Sequence, residues 1–168
     1  MKYALLAVLV LLSVTPVRAA GGIDALERFE GSWQSTATAL ATPYSKAGST
    51  TADTTCAWSS SREFLICQQA VSNDGKVTHD VAIYTYDATD AKYHFYAARL
   101  SGVSDVGITV DATGITYTNT FADGGKNVTV RTLNVWDDAD HYRFWTEYST
   151  DGTHWEKMLI GSAFRAKS

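Results

Sequence analysis

The stretch Tyr142-Arg143-Phe144-Trp145-Thr146-Glu147-Tyr148-Ser149-Thr150-Asp151-Gly152-Thr153-His154-Trp155-Glu156-Lys157-Met158-Leu159-Ile160 decides the fold. Aromatic and β-branched residues flank an Asp-Gly turn signal, the composition of an antiparallel hairpin. A three-residue loop with Gly152 in the left-handed position of a bulge pairs Tyr148 with His154, Phe144 with Met158 and Tyr142 with Ile160. A two-residue loop would instead set Glu147 opposite Glu156, an unfavourable like-charge pair. The bulged register gathers Tyr142, Phe144, Tyr148, Met158, Ile160 and Phe164 on one face. Arg143, Trp145, Glu147, Trp155 and Lys157 fall on the other. Upstream, a turn over residues 137–140 joins Trp136 directly to His141, which sets Leu133 against Phe144, Arg131 against Thr146 and Thr146 against Glu156. Arg131 and Glu156 are then both expected on the inner face.

The same rhythm runs outward through the chain. Turn signals at residues 74–75, 87–90, 101–102, 111–114, 123–125, 137–140 and 151–152 lie 10 to 15 residues apart, the spacing of consecutive hairpins. Counting the intervening runs gives about ten strands in a meander. A sheet of that size with no covering helices avoids exposed edges by closing on itself. The expected fold is all-β, a single up-and-down antiparallel β-barrel. Before it, Ile23-Asp24-Ala25-Leu26-Glu27-Arg28-Phe29 has Asp24 as an N-cap and Glu27 three residues later, which predicts a short helix closing one end. Residues 41–53, with Pro43, Gly48 and many Ser and Thr, are the least patterned and read as a loop at one mouth.

With 168 residues the chain has the size of one domain, and its 45% hydrophobic and 19% charged residues exclude long intrinsic disorder. Residues 1–19 carry Lys2, a charge-free apolar run and Val17-Arg18-Ala19, the three zones of a secretory signal. Cleavage after Ala19 leaves a domain of residues 20–168 with 12 basic against 18 acidic groups. That excess is the wrong sign for a nucleic-acid partner. The apolar run is too short to span a bilayer, so no membrane insertion is expected. The predicted location is the periplasm or the outside of the cell, without a lipid anchor, because no cysteine stands at the cleavage point.

Export places the only two cysteines, Cys56 and Cys67, where disulfides persist. A tight turn at Ser61 and Arg62 pairs residues whose numbers sum to 123, which puts Cys56 opposite Cys67 on adjacent strands. A cross-strand disulfide is expected there, with a Cα separation near 5.5 Å. A redox or metal pair would need a different spacing and accompanying ligands.

Phe29-Glu30-Gly31-Ser32-Trp33, a Gly-x-Trp straight after the short helix, combines with Arg165 near the end of the last strand. This resembles the lipocalin and wider calycin pattern, in which the Trp closes one barrel end and the Arg packs on it. His79-Asp80, Tyr86-Asp87 and Tyr93, within residues 79–99, look like the central hairpin of an uncharacterised bacterial lipocalin-like exported family. The resemblance implies a barrel with a pocket and assigns Trp33 and Arg165 to barrel closure. It implies no chemistry.

The expected pocket residues are Arg131, Tyr142, Phe144, Tyr148, His154, Glu156 and Met158. Tyr84, His94, Tyr96 and Arg99 are further candidates, but residues 81–86 and 93–100 are apolar on both sides and the pattern leaves their inner face open. Arg131 reads as an anchor for a carboxylate, or as the ion-pair partner of Glu156 when no ligand is present. His79, His94, His141 and His154 lack metal-site spacing, so no metal is expected. A single inward His could ligate haem in related barrels, but the longer glycine-rich motif of those relatives is missing after Trp33. No cofactor is therefore expected. There is no Gly-x-Ser-x-Gly elbow and no nucleophile beside an evident base. Asp137, Asp138 and Asp140 sit in a turn, their usual place. Asn127-Val128-Thr129 matches a glycosylation acceptor only as a chance triplet inside a strand.

The leading expectation is an exported carrier of a small hydrophobic or amphipathic molecule. Two other readings remain: an enzyme on the same barrel, using Arg131, Glu156, His154 or a tyrosine, and a filled barrel whose outer Trp145 and Trp155 meet a partner.

Overall fold

The computed structural model describes residues 22–167. The leader segment 1–19 lies outside them. A short 3-10 helix, Ile23–Phe29, precedes ten strands: β1 (Gly31–Ala39), β2 (Gly48–Trp58), β3 (Leu65–Asn73), β4 (Lys76–Asp87), β5 (Lys92–Arg99), β6 (Gly102–Val110), β7 (Gly114–Asp123), β8 (Lys126–Trp136), β9 (His141–Ser149) and β10 (Glu156–Arg165). Neighbours in sequence are neighbours in space, and β10 pairs with β1 to close the barrel. The all-β up-and-down barrel read from the turn rhythm is the fold, and closure gives every strand a bonded neighbour on both sides, although β6 and β7 pair over only four residues each. Asp24 does not cap the helix. Gly22 occupies that position, no side chain bonds the first turn, and Asp24 is already inside it.

Strand β2 starts earlier than its composition suggests. Residues 48–53, read as loop, alternate in burial and pair with β1, for instance Ala52 with Ser35 and Thr50 with Ala37. Threonine is a β-branched strand former, so a Ser/Thr-rich run on a half-buried surface is a strand as readily as a loop. The mouth loop is thus confined to residues 40–47, held by hydrogen bonds between Thr42 and Ser45.

The β2–β3 hairpin keeps the pairing expected of it. Cys56 faces Cys67, the two form a disulfide with Cα atoms 4.0 Å apart, and Ser59 pairs with Phe64 across the turn. Closing an 11-residue separation stabilises the fold by roughly 3 kcal/mol in the chain-entropy account.

Two other hairpins differ from expectation by one residue or more, and this decides the interior. Between β8 and β9 the closing pair is Asp137 with His141, where the Asp137 N–H donates to the His141 carbonyl at 3.0 Å. The turn therefore holds three residues instead of four. Arg131 meets Glu147, Thr132 meets Thr146 and Leu133 meets Trp145. A slip of one residue turns every side chain of a strand to the other face, so Arg131 lies outside.

Between β9 and β10 the loop is longer than three residues. The Asp151 carboxylate accepts hydrogen bonds from the N–H groups of Thr153 and His154 at 2.7 and 2.8 Å, and Ser149 Oγ accepts from Gly152 N–H at 2.8 Å. These bonds satisfy backbone that would otherwise pair. Tyr148 consequently meets Glu156 instead of His154, and a bulge between Lys157 and Leu159 at Met158 shifts the register again. Beyond it Phe144 meets Gly161, not Met158, and Tyr142 meets Ala163, not Ile160. Ile160 and Phe164, expected inside, are 45% and 54% exposed. Gly161 is what permits this arrangement, because a Cβ there would overlap the Phe144 ring and the Thr36 carbonyl.

Candidate functional site

The two ends of the barrel are built differently. At the end where β1 begins, Leu26, Phe29, Leu65 and Ile115 are buried with the disulfide beneath the 3-10 helix. Trp33 is 2% exposed, donates Nε1–H to the Phe29 carbonyl at 3.0 Å, and lies under the Arg165 guanidinium at 4.3 Å. Arg165 also donates to the carbonyls of Arg28, Glu30 and Ala139 and to the Asp140 carboxylate. One side chain therefore stitches helix, β1 and the β8–β9 turn into a plug. Gly31 is required for it: its φ is +108°, and a Cβ there would lie 2.7 Å from Arg165 Nη1. The physical content of Gly-x-Trp is thus room for the arginine.

Above the plug the barrel encloses a cavity of about 460 Å³. That volume falls in the range of small-molecule sites, about 300 to 1,000 Å³. Its floor is aromatic: Phe29, Trp33, Tyr84, Phe95, Tyr117 and Tyr142. The rings of Tyr84 and Phe95 are 4.9 Å apart, those of Phe95 and Tyr117 5.0 Å, and those of Trp33 and Tyr142 5.2 Å, an edge-packed layer with little freedom. The hydroxyls of Tyr84 and Tyr117 are 2.9 Å apart. Burial pushes the Tyr84 phenol up to about 12, with the Tyr117 hydrogen bond opposing the shift. Burial likewise raises Tyr117 well above its ordinary value, helped by Tyr84, and raises Tyr142. All three are neutral donors at physiological pH.

Higher in the barrel the lining becomes polar. Gln69 donates to Thr54 Oγ1 at 2.8 Å, and the Thr132 and Thr146 hydroxyls meet at 2.8 Å. Asp80 and Arg99 line the cavity too, with Arg99 Nε 3.2 Å from Asp80 Oδ2. At the mouth Tyr148 donates to Glu156 at 2.7 Å, and Tyr44 from the 40–47 loop packs edge-on against Tyr148 and Phe121.

Tyr142 and Phe144 line the cavity, and Tyr148 and Glu156 meet at its rim. Arg131 does not reach it. On the outer wall it pairs with Glu147 at 2.6 Å and stacks on Trp155 at 3.7 Å, so neither a ligand carboxylate nor Glu156 is its partner. His154 sits exposed in the β9–β10 loop, hydrogen-bonded to Asp151, and Met158 occupies the bulge, outside the cavity lining. On β4 and β5 the inner face carries Tyr84 and Arg99, whereas His94 and Tyr96 stack on each other away from the cavity. Among the described residues no histidine lines the cavity. Among the described residues Asp87, Asp90 and His94 lie close together on the surface, but Lys92 already pairs with Asp90. Phe95, Tyr117 and Asp80 were missed from the sequence. The alternation of Ile115 and Tyr117 with Thr116 and Thr118 is the signal that could have found Tyr117.

The fold has solved counterparts. Rv2717c from M. tuberculosis superposes with a TM-score of 0.57 at 16% identity, over 85% of this chain and 98% of that one. The likeness is one of fold, a closed antiparallel barrel. The S-type phycobiliprotein lyase CPES from Guillardia theta is similar as well, with a TM-score of 0.56 and 13% identity over 85% of this chain and 91% of that one. No protein-family model and no curated protein matches the chain.

Proposed function

We propose that the protein is an exported lipocalin-like carrier that holds a small, mainly apolar molecule inside its barrel. The observation that carries this reading is the cavity of about 460 Å³, floored by packed aromatic rings and left open on the opposite side of the plug. The lyase named among the similar structures gives a precedent for a barrel of this shape acting on more than its own packing, and the reading for this chain rests on its own lining. Export is supported by the signal-like leader and by the disulfide, which persists in oxidising compartments. Among the described residues no helix is long and apolar enough to cross a membrane.

Native mass spectrometry of the protein, secreted from its full gene into the periplasm and purified without detergent, tests the proposal. Expected is a discrete added mass, lost in Ala97→Trp. Ala97 is 3% exposed on the inner face, so an indole there fills the cavity. A bare mass, together with no uptake from a panel of fatty acids and aromatic acids, would overturn the carrier reading in favour of a barrel without ligand. The periplasmic product starting at Ala20 would support export, and an uncleaved cytoplasmic product would refute it.

A further inference from the structure

The cavity has a polar feature at each end, and this deepens the carrier reading, on which it depends. At the floor, a pair of phenols can spend only one proton on each other. The Tyr84–Tyr117 contact therefore leaves one phenolic proton without a protein acceptor, and the Tyr142 hydroxyl makes no hydrogen bond among the described residues. These protons line the cavity, and a ligand that displaces its solvent without offering an acceptor leaves them unmet, at a cost of about 1 to 3 kcal/mol. At the upper wall, Arg99 is the one cationic group of the lining. Asp80 approaches its Nε and orients the fork, while the terminal nitrogens hydrogen-bond nothing else among the described residues. Arginine presents paired donors that match a carboxylate.

The two features are set apart by the strand itself. Phe95, at the level of the phenols, and Arg99 are four residues apart on β5 and both face inward. Four residues rise about 13 Å, which a strand tilt of about 35 to 45° reduces to roughly 10 Å along the barrel. We propose that the ligand is two-ended: a rigid or semi-rigid apolar molecule roughly 10 Å long, with a carboxylate at Arg99 and an oxygen acceptor at the Tyr84, Tyr117 and Tyr142 hydroxyls. The floor donors set the polarity of entry. A molecule with an apolar tail would leave them unmet, so they discriminate against plain acids of equal size.

Three probes separate the ends: 4′-acetylbiphenyl-4-carboxylate, biphenyl-4-carboxylate and the methyl ester of the first, measured by titration calorimetry. The wild type is expected to bind the first about tenfold more tightly than either of the others, the ratio of one satisfied hydrogen bond. Tyr84→Phe/Tyr117→Phe/Tyr142→Phe keeps the rings and removes the protons. It should erase the preference for the acetyl group and retain that for the acid. Arg99→Gln should do the reverse. Both variants are checked for wild-type circular dichroism, and either preference can be read alone if one variant misfolds. Equal binding of all three probes to the wild type, or a preference unmoved by its variant, overturns the two-ended ligand and leaves the carrier standing. Failure of all three to bind overturns it as well, and only then does a bare native mass bring down the carrier reading too.

Discussion

The closed end and the open end of this barrel use aromatic residues for opposite purposes. At the closed end Phe29, Trp33, Trp136 and Tyr142 pack against one another within 6 Å, ring on ring, beneath a guanidinium with every direction of its fork occupied. At the open end Tyr44, Phe121 and Tyr148 form a smaller group on a loop and two strand ends, at similar ring separations but with Phe121 41% exposed. The wall is weakest there also: β6 and β7 pair only over residues 107–110 and 115–118, so their upper portions run on without bonding each other. Dense packing is concentrated at the closed end and relaxed at the open end. Segments with few buried contacts open at low free energy, and binding sites draw their moving parts from them.

Breaking the closed end should have the largest effect. Trp33→Ala removes a nearly fully buried indole, its hydrogen bond to Phe29 and the platform under Arg165, and is expected to cost about 4 kcal/mol in urea unfolding. A loss below about 1 kcal/mol would mean that the plug does not hold the barrel shut.

Arg131→Ala probes the outer wall near the mouth. It strands Glu147, 7% exposed, without its ion-pair partner, so a loss of about 2 kcal/mol is expected. Ligand uptake by the interior should be unchanged. Loss of uptake with stability intact would place Arg131 inside after all.

The smallest effect lies in the β9–β10 loop. The hydrogen bond and the charge of Asp151 raise the His154 pKa above its ordinary value. With the folded pKa above the unfolded one, this contact is complete below about pH 6.5 and is lost as pH rises through the raised pKa. An NMR titration of His154 should show the midpoint returning to the ordinary histidine value in Asp151→Asn. An unchanged midpoint would show that the loop is not held by this pair.

The legible parts of the molecule share one property: they depend on short separations or on residue type. Turn residues at regular spacing announced the strands, and a hairpin of 11 residues fixed Cys56 against Cys67 because little chain lies between them. The lining of the cavity was less legible. Tyr142 and Phe144 were found because β9 alternates cleanly. Tyr84 and Arg99 were left undecided because β4 and β5 are apolar on both faces.

By itself, then, the sequence determined an all-β chain of about ten strands and a cross-strand disulfide, while the Trp33–Arg165 closure was implied by resemblance to a known barrel pattern. The first two are written in local composition and in short separations along the chain. Only the tertiary structure decided which charges face inward. Asp137 closing on His141, and Met158 bulging between Lys157 and Leu159, are shifts of one residue set by turn hydrogen bonds. In a strand of period two, such a shift exchanges inside for outside. It carried Arg131 to the outer wall, and closure of the barrel set Arg99 above the phenols.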